Sequence, residues 1–482
     1  MKTLLDLKGL RASRMADISK LQEIVERSRF RDALQKHIGN KQPWPATNTF
    51  NMSTSQLKLC TEAGMLTFLL HCEARIASNL GCGFYTIGPC GEELLSAVAL
   101  SLRPTDSSAL HYRHVSTAIC RQLMAGKSVE NIALDRARGF VCSVNDPVTG
   151  GKHCAIGGSE YDFIVTSTLA SQAPPAVGRA LSISLSNSLL GKQDPSRLKF
   201  PSDSISYVSV GDGSVNNAHF LASINLARYS QHRNIKCPVV FGVSDNGRCI
   251  SLPGYGWLRQ FAKQFSDINV SFADGSNLND VYIKSKQAID YSRQRCRPSL
   301  IIYENVPRRF GHAATDRQSA YLTEAQITAQ ASADPLGAAC SQAISSGLYT
   351  AQELLEKFER LQEIVELAFE TAVNEPKIES RETLILSNSA PLHADVLPPP
   401  AKDSPYIVRY LRRTVDSAAS SSTKGGALSK DKEPPEVMRR HMTRVYDEIL
   451  TGNKGAVYIG EDVTHGGYYL VTAGLPSPSY LP

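Results

Sequence analysis

Hydrophobic positions follow two alternating patterns between about residues 52 and 385. Apolar residues at helical spacing predict helices, as in LKLCTEAGMLTFLLHCEARIAS, and short β-branched runs predict strands, as in SISYVSV, CPVVFGVS and PSLIIYENV. Strands that alternate with helices are typical of an α/β domain with a mostly parallel sheet. The pattern therefore predicts a doubly wound α/β fold, with helices on both faces of the sheet, over residues 52–385.

Three other zones flank this domain. Residues 1–51 predict a helical arm, and its basic start leaves open both a mitochondrial transit peptide and an ordinary amphipathic helix. Residues 386–436 are rich in proline, serine and glycine, which indicates a flexible linker. Residues 437–482 contain one predicted helix and one strand, which cannot bury a core alone. We expect them to be the truncated start of a second domain.

Composition narrows the class of protein. The chain has 482 residues, of which 42% are hydrophobic, and a formal net charge of +6. No basic cluster is interleaved with aromatic residues, which argues against a nucleic acid partner. No apolar run reaches the roughly 18 residues of a membrane span, so no membrane association is expected. The 11 cysteines contain no CxxC pair, which indicates reduced thiols in the mitochondrial matrix or, without a transit peptide, the cytoplasm.

Two predicted strands end in polar, glycine-containing stretches, VSVGDGSVNN and VSDNG. Ligands of open parallel sheets bind beyond the carboxyl ends of the strands. Gly211 and Gly213 let the backbone approach a ligand, and a helix expected directly after Ser214 would offer N–H groups to an anion. The oxygens of Asp212 and Asn246 suit Mg²⁺, which also binds phosphate oxygens and water. The alternative interpretation is a tight turn with a solvated aspartate.

These stretches resemble the thiamine-diphosphate motif, in particular that of the alpha chain of 2-oxo-acid dehydrogenases, the decarboxylating first component of those complexes. The resemblance covers about residues 52–385 and implies thiamine diphosphate and Mg²⁺ as cofactors. It implies that Asp212, Asn246 and the backbone carbonyl of Arg248 bind the metal. Asp245 and Arg248 depart from the family pattern, and the spacing between the two stretches is longer than usual.

Three further stretches resemble the same family: HYRH (111–114), TSTLASQAPPAVGRAL (166–181) and RRFGHAATDRQSAY (308–321). In the first, the resemblance implies that Tyr112 and Arg113 hold the diphosphate. In the second, Leu169 would bend the thiamine and Ser167 would contact its aminopyrimidine ring. The full set of implied cofactor-binding residues is Tyr112, Arg113, Ser167, Leu169, Gly211, Gly213, Ser214, Asn246 and Arg248.

The second stretch is most similar to the branched-chain enzymes, in which it also binds a potassium ion (K⁺). By that analogy, the ligands here would be Thr166, Thr168, Ser171 and Gln172. In the third stretch, the resemblance implies that His312 assists the acyl transfer and that Tyr321 anchors the loop. A serine that is phosphorylated in animal relatives is Ala313 here, so that switch should be absent. His153 is expected to border the same cavity.

Residues 437–482 resemble the opening of the partner beta chain, so the parent polypeptide looks like an alpha–beta fusion. The essential beta-chain glutamate would lie further on, and Glu461 is not that residue. The implied activity is oxidative decarboxylation of a 2-oxo acid, branched-chain rather than pyruvate, with acyl transfer to the lipoyl groups of an acyltransferase core. The implied partners are a beta-type domain or subunit, in a homodimer or an alpha₂beta₂-like assembly.

Two alternatives stay open from the sequence. The chain could be a catalytically incomplete structural or decoy subunit that assembles with active partners, or it could belong to another thiamine-dependent class such as transketolase. The tyrosine–arginine pair, the His312 loop and the GEDV stretch argue against the second alternative.

Overall fold

Five parallel strands form the central sheet of the structure, a computed structural model. The strands of the α/β domain are β1 (Ser107–Ala109), β2 (Ser206–Gly211), β3 (Val239–Ser244), β4 (Arg248–Cys249), β5 (Leu252–Pro253), β6 (Asn269–Asp274) and β7 (Ser299–Glu304). The sheet has the order β1–β2–β3–β7–β6, and all its neighbouring pairs are parallel. Strands β4 and β5 form a separate antiparallel pair.

The structure describes residues 6–39, 51–84, 87–89, 91–152, 156–157, 161–163, 165, 168–189, 198–313, 316–332, 334–386, 437–452, 457–459, 463, 468–473, 475 and 480–481. Its helices are α1 (Leu7–Ser13), α2 (Met15–Ile18), α3 (Gln22–Gly39), α4 (Thr54–Asn79), α5 (Ser96–Ala99), α6 (Val115–Met124), α7 (Val129–Phe140), α8 (Ala173–Leu189), α9 (Ala218–His232), α10 (Trp257–Ala262), α11 (Leu278–Arg295), α12 (Glu324–Ser332), α13 (Pro335–Ser345), α14 (Ala351–Asn374), α15 (Arg381–Leu386) and α16 (Met438–Gly452). Among these described residues, no helix combines the length and the hydrophobicity needed to cross a membrane.

The core forms where apolar strands meet the apolar faces of long helices. All residues of β3 are buried, and α11 packs against β3, β6 and β7. Helix α4 begins at a capping box between Ser53 and Gln56, and α14 begins at one between Thr350 and Glu353. Helix α14 packs against α3, α4 and α7, with Phe358 fully buried. These contacts hold the N-terminal helices against the α/β domain.

The chain divides into two compact units, residues 1–184 with 200–386 and residues 185–199 with 387–482. In the second unit, β8 (Tyr458–Ile459) pairs in parallel with β9 (Tyr480–Leu481). The hydroxyl of Thr443 on α16 donates to the carbonyl oxygen of Val471 at 2.6 Å. The aromatic rings of Tyr446 and Tyr458 lie 5.0 Å apart.

The predicted α/β class is confirmed, with a five-stranded parallel sheet flanked by helices and preceded by N-terminal helices. The prediction of a helix directly after Ser214 is wrong in its position. A short 3₁₀ turn occupies Asp212–Asn216, and α9 begins only at Ala218. The helix begins at Ala218 because the side chain of Asn217 accepts a hydrogen bond from His219 N–H and caps the helix. The domain boundaries stay predictions.

Candidate active site

A cavity of about 390 Å³ lies at the carboxyl ends of the central strands. Strand β2 ends at Gly211 and β3 at Ser244, and these two residues are register partners. The loops that follow them therefore meet at one rim of the sheet. Apart from the predicted potassium ligands, every predicted cofactor-binding, metal-binding or catalytic residue that the structure describes lines this cavity: Tyr112, Arg113, Leu169, Gly211, Asp212, Gly213, Ser214, Asn246, Arg248 and His312.

The side-chain oxygens of Asp212 and Asn246 meet at one backbone N–H group. The N–H of Arg248 donates to Asp212 Oδ2 at 3.2 Å and to Asn246 Oδ1 at 3.0 Å. The two oxygens therefore lie no farther apart than the sum of these distances. Gly247 adopts a φ of 73°, a left-handed conformation that favours glycine, and turns the chain between them. The structure thus brings the two proposed side-chain ligands together at one rim.

Asp212 is a buried carboxylate that no described Lys, Arg or His approaches within ion-pair distance. Burial, together with the carboxylates of Asp245 and Glu92, raises the pKa of Asp212 to about 7, although it accepts hydrogen bonds from two backbone N–H groups. A bound divalent cation would favour the ionised form of such a group. Carboxylate and amide oxygens are also the donors that Mg²⁺ prefers. The residues present therefore fit the ion.

Arg113 links two walls of the cavity. Its Nη1 donates to the carbonyl oxygen of Gly88 at 2.6 Å, and its Nη2 lies 2.7 Å from His312 Nδ1. Because a guanidinium group carries only donors, Nδ1 must accept, and the neutral imidazole carries its proton on Nε2. Burial, and next the charge of Arg113, lower the pKa of His312 to about 4. His312 is therefore neutral near neutral pH.

The substitution Arg113→Met should raise the pKa of His312 from about 4 towards its ordinary value of 6.5. The variant removes the nearest positive charge, while burial continues to disfavour the imidazolium. The measurement is a pH titration of ¹³C-labelled histidine by NMR without cofactor, with the His312 signal assigned from His312→Gln. Arg295→Met, at the exposed end of α11, is the control and should leave the signal unchanged. An equal pKa in wild type and Arg113→Met would contradict the assigned contact.

Asp316 organises the loop that carries His312. Its Oδ2 accepts hydrogen bonds from the backbone N–H of His312 and from the hydroxyl of Tyr321, each at 2.7 Å. Arg308 Nη2 donates to the Tyr321 hydroxyl at 2.7 Å, and Nη1 donates to the carbonyl oxygen of Ile250 at 2.6 Å. Tyr321, the predicted anchor of the loop, thus lies in a partly buried network that connects the loop to the segment after β4.

Apolar side chains form another part of the cavity wall. Leu169 is 47% exposed although it is a leucine, and Ile87 and Ile250 also line the cavity. Such a surface can pack against the apolar portion of a ligand. Ser167, predicted to contact the aminopyrimidine ring, lies outside the described residues. His153 and Glu461 also lie outside them.

The predicted potassium ligands are only partly described. Thr166 lies outside the described residues. Ser171 donates its hydroxyl hydrogen to the carbonyl oxygen of Thr168 at 3.0 Å. Gln172 Nε2 donates to the carbonyl oxygen of Ser209 at 2.8 Å, and its Oε1 is buried without a hydrogen-bond partner among the described residues. The potassium site stays a prediction.

The sequence did not single out several residues that the structure brings to the site: Glu92, His111, Cys249, Arg308 and Asp316. His111 is adjacent to the predicted Tyr112–Arg113 pair, and Asp316 lies in the predicted loop. Their position in the sequence next to predicted site residues could therefore have identified both. Glu92 precedes a short 3₁₀ turn far from every predicted motif. Only the packing of that turn against α6 and α4 reveals it.

Residues 63–381 match the family described as "Dehydrogenase E1 component". The match covers more than half of the chain, and the chain belongs to this family. The family implies thiamine diphosphate and Mg²⁺ as cofactors. Its alpha subunits act with beta subunits within 2-oxo-acid dehydrogenase complexes.

Two known proteins are similar to the chain, each at about one quarter sequence identity. "2-oxoisovalerate dehydrogenase subunit alpha" of Bacillus subtilis (strain 168) is 25% identical over 329 residues, which cover 66% of this chain and 86% of the relative. "2-oxoisovalerate dehydrogenase subunit alpha, mitochondrial" of Caenorhabditis elegans is 26% identical over 283 residues, which cover 57% of this chain and 58% of the relative. At this distance the similarity supports the alpha-type function and only weakly suggests a substrate.

Proposed function

We propose that the chain is the alpha-type part of an enzyme that oxidatively decarboxylates a branched-chain 2-oxo acid. The acyl group passes to the lipoyl groups of the acyltransferase core of the complex. One observation carries the proposal: a single cavity gathers a buried carboxylate, an amide oxygen, a guanidinium group and a neutral imidazole, those of Asp212, Asn246, Arg113 and His312.

In this proposal the cavity holds the cofactor through three kinds of contact. Asp212, Asn246 and the backbone carbonyl of Arg248 bind Mg²⁺, while Tyr112 and Arg113 bind the diphosphate. A guanidinium group matches phosphate in both charge and geometry. The glycines at 211 and 213 keep side chains away from the ligand, and Ser214 contacts it. Leu169 packs against the thiamine, and Ser167 supplies a backbone carbonyl to the aminopyrimidine ring.

Thiamine diphosphate, when bound, supplies the nucleophilic carbon and takes up the electron pair released as CO₂ leaves. The chain's own contribution is to position and to hold protons. His312 has a pKa of about 4, so its imidazole is neutral near neutral pH and carries its proton on Nε2. In this form Nε2–H can donate a hydrogen bond to a substrate oxygen. Asp316 fixes its backbone, and Arg113 fixes its ring.

Two observations support a branched-chain substrate over pyruvate. The printed names of both relatives specify 2-oxoisovalerate. The apolar wall formed by Ile87, Leu169 and Ile250 suits an aliphatic side chain better than a methyl group alone. Pyruvate is the second candidate. A potassium ion near Gln172 would strengthen the likeness to the branched-chain enzymes.

We further propose that activity requires a beta-type domain or subunit, in a homodimer or an alpha₂beta₂-like assembly. Supporting this, alpha subunits of the family act with beta subunits. The proposed compartment is the mitochondrial matrix if residues 1–51 act as a transit peptide, and the cytoplasm otherwise. A fluorescent protein fused behind residues 1–51 tests that choice directly by microscopy.

Cofactor binding should appear as thermal stabilisation of the full chain. Thiamine diphosphate at about 100 times its dissociation constant, with Mg²⁺, should add about 2.7 kcal/mol to the free energy of unfolding. The measurement is a thermal-shift titration with and without a beta-type partner, and thiamine without phosphate is the matched control. No stabilisation in either condition would contradict the proposed cofactor site.

Turnover then distinguishes the enzyme from the catalytically incomplete subunit. Release of ¹⁴CO₂ from 1-¹⁴C-labelled 2-oxo acids, measured with the beta-type partner and a lipoyl acceptor, should be fastest for a branched-chain substrate. Cofactor binding without release from any 2-oxo acid would favour the structural subunit.

A further inference from the structure

Three buried side chains meet at one end of the cavity: Glu92, His111 and His114. One ligand atom of each lies within 4.8 Å of the other two, and all three residues are buried. His114 Nε2 lies 3.0 Å from Glu92 Oε2 and 3.3 Å from the hydroxyl of Ser244. The aromatic rings of His111 and His114 meet edge to face at 5.5 Å.

The polar atoms of this cluster are incompletely paired. Among the described residues, His111 Nδ1 and His114 Nδ1 are buried without a hydrogen-bond partner, while Glu92 Oε2 lies against His114 Nε2. A buried polar atom without a partner has lost its hydrogen bonds to water without replacement, so two such atoms in one cluster require an explanation. Burial, with the nearby His114 and Arg113, holds the pKa of His111 well below its usual range. Its imidazole is therefore neutral, and one of its two ring nitrogens carries a lone pair.

The donor chemistry selects a particular class of ligand. Two imidazole nitrogens and one carboxylate form the three-ligand set of open zinc sites, whereas Mg²⁺ prefers oxygen donors alone. In a tetrahedral site with bonds of about 2.0–2.1 Å, ligand atoms are roughly 3.3 Å apart. Small changes in side-chain torsion would close the present spacing of up to 4.8 Å. Glu92 and His111 line the cavity, so water or a bound ligand can occupy the fourth position.

We propose that Glu92, His111 and His114 bind a Zn²⁺ ion, separately from the Mg²⁺ proposed at Asp212 and Asn246. The ion pairs with the buried Glu92 carboxylate, takes up imidazole lone pairs and leaves one coordination position open to the cavity. It also places a positive charge near Asp212, whose pKa is raised in part by Glu92. The site requires neither thiamine diphosphate nor catalytic activity.

The test is metal uptake by the full chain without thiamine diphosphate. The metal-stripped protein, kept in excess Mg²⁺, is titrated with Zn²⁺, and retained zinc is measured by mass spectrometry after gel filtration. Wild type should retain about one equivalent that both His111→Gln and His114→Gln lose. Circular dichroism establishes that each variant is folded, and His111→Gln provides a second test if His114→Gln fails to fold.

Two controls separate this site from the other metal-binding groups. Asp212→Asn, which removes the proposed Mg²⁺ ligand, and His232→Gln, at the exposed end of α9, should both retain the equivalent. Co²⁺ in place of Zn²⁺ should give visible absorption without the near-ultraviolet charge-transfer band of a thiolate, which excludes the free cysteines. Equal metal retention by wild type and the folded histidine variants, or a thiolate band, would overturn the proposal.

Discussion

The substitution Asp212→Asn should weaken binding of Mg²⁺ and thiamine diphosphate by more than about 100-fold. Loss of a residue that only hydrogen-bonds to a metal ligand typically lowers metal affinity about 10–100-fold, and loss of a ligand itself should have a larger effect. Asp212 is the charged member of the proposed ligand set, and its oxygen shares the Arg248 N–H with Asn246. Isothermal titration with thiamine diphosphate in excess Mg²⁺ measures the change. With the beta-type partner present, release of CO₂ should fall in parallel.

Without metal, the same substitution should stabilise the protein. The pKa of Asp212 is about 7 in the folded state, against an ordinary value of 3.8. Between these pH values Asp212 is ionised in the unfolded chain but still protonated in the folded protein. The free energy of unfolding of the apo wild type therefore falls as the pH rises from about 4 to 7. At pH 8 the full cost of the buried charge is present in wild type and absent in the variant. If Asp212→Asn is more stable than wild type without metal and also binds the cofactor poorly, misfolding cannot be the cause of the weaker binding.

Asp245→Asn is the matched control for the binding measurement. Asp245 lies on the same rim, one residue before Asn246, but does not line the cavity. Its Oδ1 accepts a hydrogen bond from Gly247 N–H at 2.8 Å, and an asparagine oxygen can accept the same bond. Cofactor affinity should stay within a few-fold of wild type, since metal ligation is unaffected. Equal losses in Asp212→Asn and Asp245→Asn would contradict the assignment of Asp212 as the ligand.

The substitution Asp106→Asn should lower the free energy of unfolding by about 3–5 kcal/mol, because it leaves the largely buried Arg293 side chain without its carboxylate partner. Both oxygens of Asp106 accept from Arg293, at 2.9 and 2.6 Å. They also accept from the backbone N–H groups of Arg103 and Ile205, at 2.7 and 3.0 Å. This fully buried carboxylate therefore ties α11 to the starts of β1 and β2. Urea unfolding should show a lower midpoint with an unchanged slope.

The exposed pair between Lys286 and Asp290, also on α11, supplies the comparison. Asp290→Asn should cost no more than about 0.5 kcal/mol, because solvent screens the pair. The double variant Asp106→Asn, Arg293→Gln should cost less than the sum of the two single changes, because the guanidinium is then absent. Equal costs for Asp106→Asn and Asp290→Asn would show that the buried pair does not hold these elements together.

Local signals in the sequence predicted three of the five strands of the sheet and many of the residues that line the candidate site. The β-branched runs predicted β2, β3 and β7, and helical spacing predicted α4, because each pattern reflects the burial of one element. The glycine-flanked Asp212 and the later Asn246 could be predicted together, since both follow strands that end at the same rim of a parallel sheet. The start of α9 was misplaced because a single side chain, Asn217, decides it.

Other features depend on groups that are distant in sequence. Neither the Asp106–Arg293 pair nor the contact between Arg113 and His312 has a sequence pattern, because each joins segments brought together only by folding. The raised pKa of Asp212 and the lowered pKa of His312 likewise arise from burial and neighbouring charges. Both depend on the packed cavity and not on the local chain.

The sequence by itself determined the α/β class, three of the five strands of the sheet and the residue types at the ends of two of those strands. It could do so because hydrophobic period, capping and strand termination are local properties of the chain. Only the tertiary structure decided the protonation state of His312, the raised pKa of Asp212 and the cluster of Glu92, His111 and His114. Those properties depend on distance and burial, which become defined only when remote segments pack together.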